Sequence, residues 1–221
     1  MTQLAFLLDV DNTLLANDEV KEHLDRHLQS TMGNTLTKHF WDIYEQIRQK
    51  QGVINIPLTL QCLREEVPKD ILDEQTYQQV HTLFDTYPFF QNLYPHAIET
   101  LHYLRTLGLT IIVSDGDQYF QTEKITSSHL AEAVEGRVLI YTHKQQHLEE
   151  ILQHYPAEHY VMIDDKPQIL VESKKLLGKR LTTVFVKQGK YAQNTGNSAS
   201  DMSIEHIGDL RNYTTEHFLR V

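Results

Sequence analysis

The chain has 221 residues, about one and a half domains at a typical 150 residues each. Its 40% hydrophobic and 23% charged content excludes a disordered chain, a collagen and a coiled coil. Acidic residues outnumber basic ones by 30 to 20, a formal charge of −10. That balance argues against a nucleic-acid grip, which needs a basic face, and it obliges any anionic ligand to find a local cation that offsets the overall repulsion.

The first apolar run, Leu4–Leu8, ends at Asp9 and reads as a buried parallel strand. It is too short for a membrane span and lacks the cationic lead of a signal peptide, so no membrane partner is expected. From Asn17 to Pro88 the apolar spacing is that of amphipathic helices. Val20, Leu24 and Leu28 share one face, Leu36, Phe40, Ile43 and Ile47 another, Leu60, Leu63 and Val67 a third, and Tyr77, Val80, Phe84 and Tyr87 a fourth. The single cysteine, Cys62, excludes an internal disulfide and a cysteine zinc cage. Beside Leu60 and Leu63 it reads as a buried thiol, and a reducing, cytoplasmic setting is expected. Phe40, Trp41, Phe84, Phe89 and Phe90 are expected to pack the core of this helical stretch, and Lys21, Arg26, Arg48 and Lys50 to face water or reach a ligand from it.

After Pro88 helices and strands alternate. Ile98, Leu101, Leu104 and Leu107 form a helix face stopped by Gly108. Strands follow at 109–113, 138–141, 160–163 and 182–186, separated by helices at 121–129, 144–154 and 168–177. A polar loop over 187–200 and a short helix near Ile207–Leu210 complete the chain. Alternation of this kind predicts an α/β fold: a mostly parallel sheet with helices on both faces, a Rossmann-like three-layer core. The predicted division is a core of 1–16 and 89–221 around a small all-helical domain of 17–88.

In such sheets ligands bind beyond the carboxyl ends of the strands. Those ends carry Asp9-Val10-Asp11-Asn12-Thr13, Ser114-Asp115-Gly116-Asp117, Tyr141-Thr142-His143-Lys144 and Asp164-Asp165-Lys166. With the strands of Asp9 and Asp165 side by side, several carboxylates crowd together, which is costly unless a cation sits among them. Hard oxygen ligands with positions left for water and phosphate suit Mg²⁺. The pairs His23/His27 and His143/His147 have i,i+4 spacing but no third ligand, and read as ordinary solvated or half-buried histidines.

The order of these parts resembles the haloacid dehalogenase superfamily. Asp9-Val10-Asp11-Asn12-Thr13 is similar to its first motif, Ser114 to the second, Lys144 to the third and Asp164-Asp165 to the fourth. The helical insert stands where this family places a cap, between the first and second motifs, and the 30 positions from Ser114 to Lys144 leave no room for a second one. The resemblance implies that Asp9 is a nucleophile forming an aspartyl-phosphate, that Asp11 is the general acid and base, and that Thr13 braces the loop. It further implies that Ser114 and backbone N–H groups at Asp115 and Gly116 hold the phosphoryl group, and that Lys144 offsets charge. Mg²⁺ is expected on Asp9, the Asp11 carbonyl and Asp165, with Asp164 direct or through water. An acid at position 11 argues for a phosphatase over a dehalogenase, because an alkoxide needs a proton on leaving and a halide does not. The expected function is hydrolysis of a small phosphorylated metabolite by a monomer or homodimer. A phosphotransferase with the same intermediate is one alternative. A receiver-like phosphate-responsive module is another, although receivers place the acidic pair first in sequence.

Overall fold

Every residue from Leu4 to Leu8 is at most 1% exposed, as a strand covered on both faces must be. The computed structural model describes residues 2–193 and 200–219. In chain order the elements are β1 (Thr2–Leu8), α1 (Asn17–Gln51), α2 (Ile56–Glu66), α3 (Glu74–Asp85), α4 (Ala97–Leu107), β2 (Leu109–Asp115), α5 (Gln118–Ser127), α6 (Leu130–Ala133), β3 (Val138–Tyr141), α7 (Leu148–His154), β4 (Ala157–Asp164), α8 (Pro167–Leu177), β5 (Leu181–Val186), β6 (Met202–Ile204) and α9 (Thr215–Leu219). The strands form one sheet in the order β3-β2-β1-β4-β5-β6, parallel throughout. Leu7 pairs with Ile111 of β2 on one side and Met162 of β4 on the other. The chain thus winds outward from β1 in both directions, and the crevice of such a sheet lies at the carboxyl end of the strand where the order reverses.

Two apolar clusters, one on each face, make this a three-layer α/β structure. Ala5, Leu7, Ile111 and Met162 pack with Leu148 and Ile151 of α7 and Ile169 and Leu170 of α8. On the opposite face Leu4, Phe6 and Leu8 join a larger cluster that takes in Leu101 and Leu104 of α4 and continues through Phe40, Leu63 and Val80 of the helices between β1 and β2. Fully burying a side chain of this size contributes about 1.5–3 kcal/mol. Gly108 sits where β2 starts beside β1, and a Cβ there would stand 2.2 Å from the Leu4 carbonyl oxygen. The close approach of the two chains therefore requires glycine.

The two apolar faces of 20–28 and 36–47 belong to one 35-residue element that breaks at Gly33 (φ 79°, ψ 165°), a backbone geometry reserved in practice for glycine. Asn55 and Asp73 cap α2 and α3 by accepting from Leu58 N at 2.9 Å and Thr76 N at 2.7 Å. Phe40 stacks on Phe84 at 5.3 Å, and Phe84 meets Phe120 of α5 edge to face at 6.5 Å.

Several expectations need correction. Phe90 is 51% exposed rather than packed, because the 3-10 turn Phe89–Asn92 turns Phe89 inward and its neighbour out. Cys62 is only half-buried. The segment after β3 opens with a 3-10 turn, Lys144–Gln146, before α7 starts. A sixth strand, β6, extends the sheet beyond the five that the sequence pattern suggests, being three residues long and without a strong apolar run. The loop expected over 187–200 holds a 3-10 turn at Lys190–Gln193, and 194–199 lie outside the described residues. Ile207–Asn212 is a 3-10 turn, and α9 follows it. Among the described residues no helix is long and apolar enough to cross a membrane.

Candidate active site

Asp9 extends β1 by one hydrogen bond, its N–H donating to the Ile163 carbonyl at 3.0 Å. The chain then turns sharply, with the N–H groups of Thr13, Leu14 and Leu15 all directed at the Val10 carbonyl. Asn12 takes the left-handed conformation the turn demands (φ 62°), which asparagine tolerates better than most side chains. Its Oδ1 accepts from Asp18 N at 3.1 Å and so ties the turn to the start of α1. Gly189 (φ +65°) packs so closely that a Cβ would fall 2.6 Å from the Asn12 side chain.

The parallel sheet brings the predicted motifs to one rim. Asp9, Asp164 and Asp165 each offer a carboxylate oxygen within 4.8 Å of the others, and they are at most 2% exposed. Lys144, 1% exposed, hydrogen-bonds Asp9 Oδ1 and the Val113 carbonyl (3.1 Å), and ion-pairs with Asp164 Oδ2 at 2.7 Å. Asp115 Oδ1 accepts from Lys144 N at 2.7 Å and fixes the turn that presents this lysine. Thr13 Oγ1 donates to Asp9 Oδ2 at 3.3 Å. Ser114 Oγ accepts from Gln121 Nε2 at 2.8 Å, which leaves the serine proton to donate elsewhere.

The charges do not balance within this cluster. Burial by itself would lower the Lys144 pKa, yet Asp164 and Asp9 together hold it above the ordinary lysine range. Burial pushes Asp164 up to about 6 against the pull of Lys144. Burial, then the carboxylates of Asp9 and Asp164, push Asp165 up to about 9. Asp164 Oδ1 accepts from Lys166 N at 2.8 Å, whereas both side-chain oxygens of Asp165 are buried with no hydrogen-bond partner among the described residues. Unpartnered buried carboxylate oxygens are rare. Two of them facing two further carboxylates fit a hard divalent cation, which would reverse the cost of gathering the acids. Among the described residues no histidine joins a group of this kind; His23 meets the Tyr87 hydroxyl at 3.1 Å and His147 stacks on Tyr141 at 4.5 Å.

Two predicted residues sit apart from the three acids. The Asp11 carboxylate turns to Lys124, whose Nζ donates to Asp11 Oδ1 at 2.7 Å and to Asn17 Oδ1 at 3.0 Å. The Gly116 N–H donates to the Tyr141 carbonyl at 2.9 Å, continuing the β2–β3 ladder, so it is not free for a phosphoryl oxygen. Lys124, 3% exposed and lying 5.5 Å from the Phe120 ring and 5.9 Å from that of Phe89, has no counterpart in the sequence motifs. Neither has Gln121. Asp117 caps α5 through Tyr119 N and Phe120 N, and from that start Gln121, Lys124 and Ile125 fall on the buried face. A cation at a core-facing position of an amphipathic helix is the signal that identifies Lys124.

A cavity of about 300 Å³ adjoins the site, lined by Asp11, Asn12, Asp115, Lys166 and, from α1, Lys21 and Arg48. Arg26 and Lys50 do not line it.

The model of the haloacid dehalogenase-like hydrolase family matches residues 4–168. A solved structure from Burkholderia xenovorans, described as a haloacid dehalogenase-like hydrolase, is 40% identical to this chain, covers 98% of each chain and superposes with a TM-score of 0.88. At 15% identity the HAD-hydrolase YfnB of Bacillus subtilis, solved with magnesium bound, covers 100% of each chain with a TM-score of 0.63. L-2-haloacid dehalogenase from Xanthobacter autotrophicus, at 16% identity, covers 94% of this chain and 96% of its own with a TM-score of 0.59. These last two likenesses concern the fold. No curated protein matches the chain.

Proposed function

Because the chain belongs to the haloacid dehalogenase-like hydrolase family, we propose that it is a Mg²⁺-dependent phosphohydrolase that acts on a small phosphomonoester through an aspartyl-phosphate on Asp9. The observation that carries this reading is the pair of buried, unpartnered Asp165 oxygens facing Asp9 and Asp164. A dehalogenase has an anionic substrate carboxylate but no need of a divalent cation, whereas a phosphoryl dianion meeting a carboxylate nucleophile does.

Thr13 and Lys144 hold one oxygen each of Asp9, which fixes the plane of the carboxylate before attack. In the first step an Asp9 oxygen bonds to phosphorus, the phosphorus–ester oxygen bond breaks, and the departing oxygen takes a proton from Asp11. In the second, water attacks phosphorus, gives its proton to Asp11, and the Asp9 carboxylate leaves. Ser114 donates its free hydroxyl proton to a phosphoryl oxygen, and Lys144 spreads its charge over Asp9 and the transferring group. Asp115 acts by holding Lys144. The cation would sit on Asp9, Asp165 and the Asp11 carbonyl, with Asp164 direct or through water, and would neutralise charge on the phosphoryl oxygens. The helices of 17–88 act as a cap that keeps water from the site.

The test is release of inorganic phosphate from a panel of phosphate esters, with and without Mg²⁺, alongside halide release from 2-chloropropionate. Phosphate release that needs Mg²⁺ and disappears in Asp9→Asn is expected. Halide release without phosphate release overturns the proposal. An added acceptor alcohol that diverts the phosphoryl group would show a phosphotransferase instead, and a stable phospho-protein without turnover a receiver-like module.

A further inference from the structure

The cavity beside Asp11 is lined by four acids, Asp11, Asp18, Glu45 and Asp115, and four bases, Lys21, Arg48, Lys166 and Lys190. Its acids are engaged: Asp11 with Lys124, Asp115 with Lys144 N, Asp18 with Lys190 N at 3.0 Å, and Glu45 with both forks of the Arg48 guanidinium. Its lysines are not. Lys21 of α1 and Lys190 of the β5–β6 connection line the same cavity. Among the described residues the ammonium of neither is paired with a carboxylate; each lies over a tyrosine ring, Lys21 at 5.4 Å from Tyr44 and Lys190 at 5.2 Å from Tyr191. Burial, and next the ammonium of Lys190, lower the Lys21 pKa against the pull of Asp11 and Asp18. Lys166 lines the cavity too, and it follows directly on Asp164 and Asp165 at the end of β4, the phosphoryl end.

Two ammonium groups that line one polar cavity without an ion pair are donors for charge-assisted hydrogen bonds to an anion that enters it. We propose that the substrate carries a second anionic group, a carboxylate or a second phosphate, seated between Lys21 and Lys190 while its phosphoryl group lies at Asp9. The cavity volume limits it to a small metabolite. The inference rests on the phosphohydrolase reading for the position of the first anion. Its charged pair stands on the lysines alone. Lys21 comes from the helical layer and Lys190 from the core, so the second anion bridges the two and favours the arrangement in which they meet.

Calorimetric titration of the full chain in Mg²⁺ with three unreactive probes separates the cases: methylphosphonate with one anionic end, phosphonoacetate with a carboxylate at the other, and methylenebisphosphonate with a second phosphonate. At least one two-ended probe should bind about tenfold or more tighter than methylphosphonate, as a charge-assisted contact warrants. Which of the two gains names the second group. Lys21→Met and Lys190→Met should each reduce that ratio about tenfold, and Lys21→Arg should restore most of it. Equal binding of all three probes to the wild type, no measurable binding of the two-ended probes at millimolar concentration, or an unchanged ratio in both methionine variants overturns the proposal. Phosphate release from p-nitrophenyl phosphate, measured in parallel, reports on the other reading: a binding preference without release removes the phosphohydrolase and keeps the second anion site, and release without a preference does the reverse.

Discussion

Lys124 and Asp11 are 113 residues apart in sequence and 2.7 Å apart in the folded chain. The lysine is 3% exposed and the carboxylate 19%. The same ammonium reaches Asn17, the first residue of α1. It therefore aims the proposed acid and base and anchors it to the start of the helical layer. Lys124→Met should lower kcat/KM for alkyl phosphates by about 10²-fold, the lower range of general acid–base catalysis, and for p-nitrophenyl phosphate far less, because its leaving group needs no proton. Lys124→Arg should recover part of the loss. Equal damage to both substrates would show that Lys124 acts on something other than Asp11.

Removing one of the three buried acids should uncouple stability from metal binding. Asp165→Asn relieves the crowding of like charges, so without metal the variant should be more stable than the wild type by about 1–2 kcal/mol. Saturating Mg²⁺ should raise the wild-type melting temperature by roughly 5–10 °C at a hundredfold excess over Kd, and should leave Asp165→Asn unmoved. Thermal melts of both proteins with Mg²⁺ and with EDTA measure the four values.

Gly189 lies in no motif, yet a Cβ there would stand 2.6 Å from Asn12 and require φ +65° of an alanine. Gly189→Ala should therefore displace the turn that carries Asp9 and Asp11. The expected result is loss of about tenfold or more in kcat, with a conformational penalty of about 1 kcal/mol. Steady-state kinetics beside a urea melt distinguish this from general unfolding.

Phe40 is fully buried between Phe84 and Trp41. Phe40→Ala should cost about 3–5 kcal/mol, the usual range for emptying an aromatic core position. A lower urea midpoint with an unchanged m-value is the signature of a lost contact with two-state unfolding intact.

Much of this architecture is local and so legible in sequence. Apolar runs such as Leu4–Leu8 and Ile111–Val113 can only be buried strands, and acids directly after them must reach the rim where parallel strands end. Short or one-sided elements were less legible. β6 gains its place from pairing with β5 rather than from its own three residues, and the exposure of Phe90 depends on a single 3-10 turn. The engagement of the Gly116 amide follows from the register of β2 against β3, which no local pattern encodes. Lys124, Gln121 and Gly189 owe their roles to partners distant in the chain: Asp11, Ser114 and Asn12.

The strand order also bears on how the site comes into being. Asp9 follows β1, Ser114 lies in β2, Lys144 comes after β3, and Asp164 ends β4, so the four positions become neighbours only when four parallel strands have paired. The Lys144–Asp9 contact alone closes a loop of 135 residues. Helices form from near neighbours early and quickly, whereas parallel pairings of such separation are intrinsically slow. A chain stalled with its helices made and its sheet unpaired would have much of its secondary structure and none of its chemistry, so recovered turnover on refolding would time the closing of the sheet while circular dichroism would time the helices.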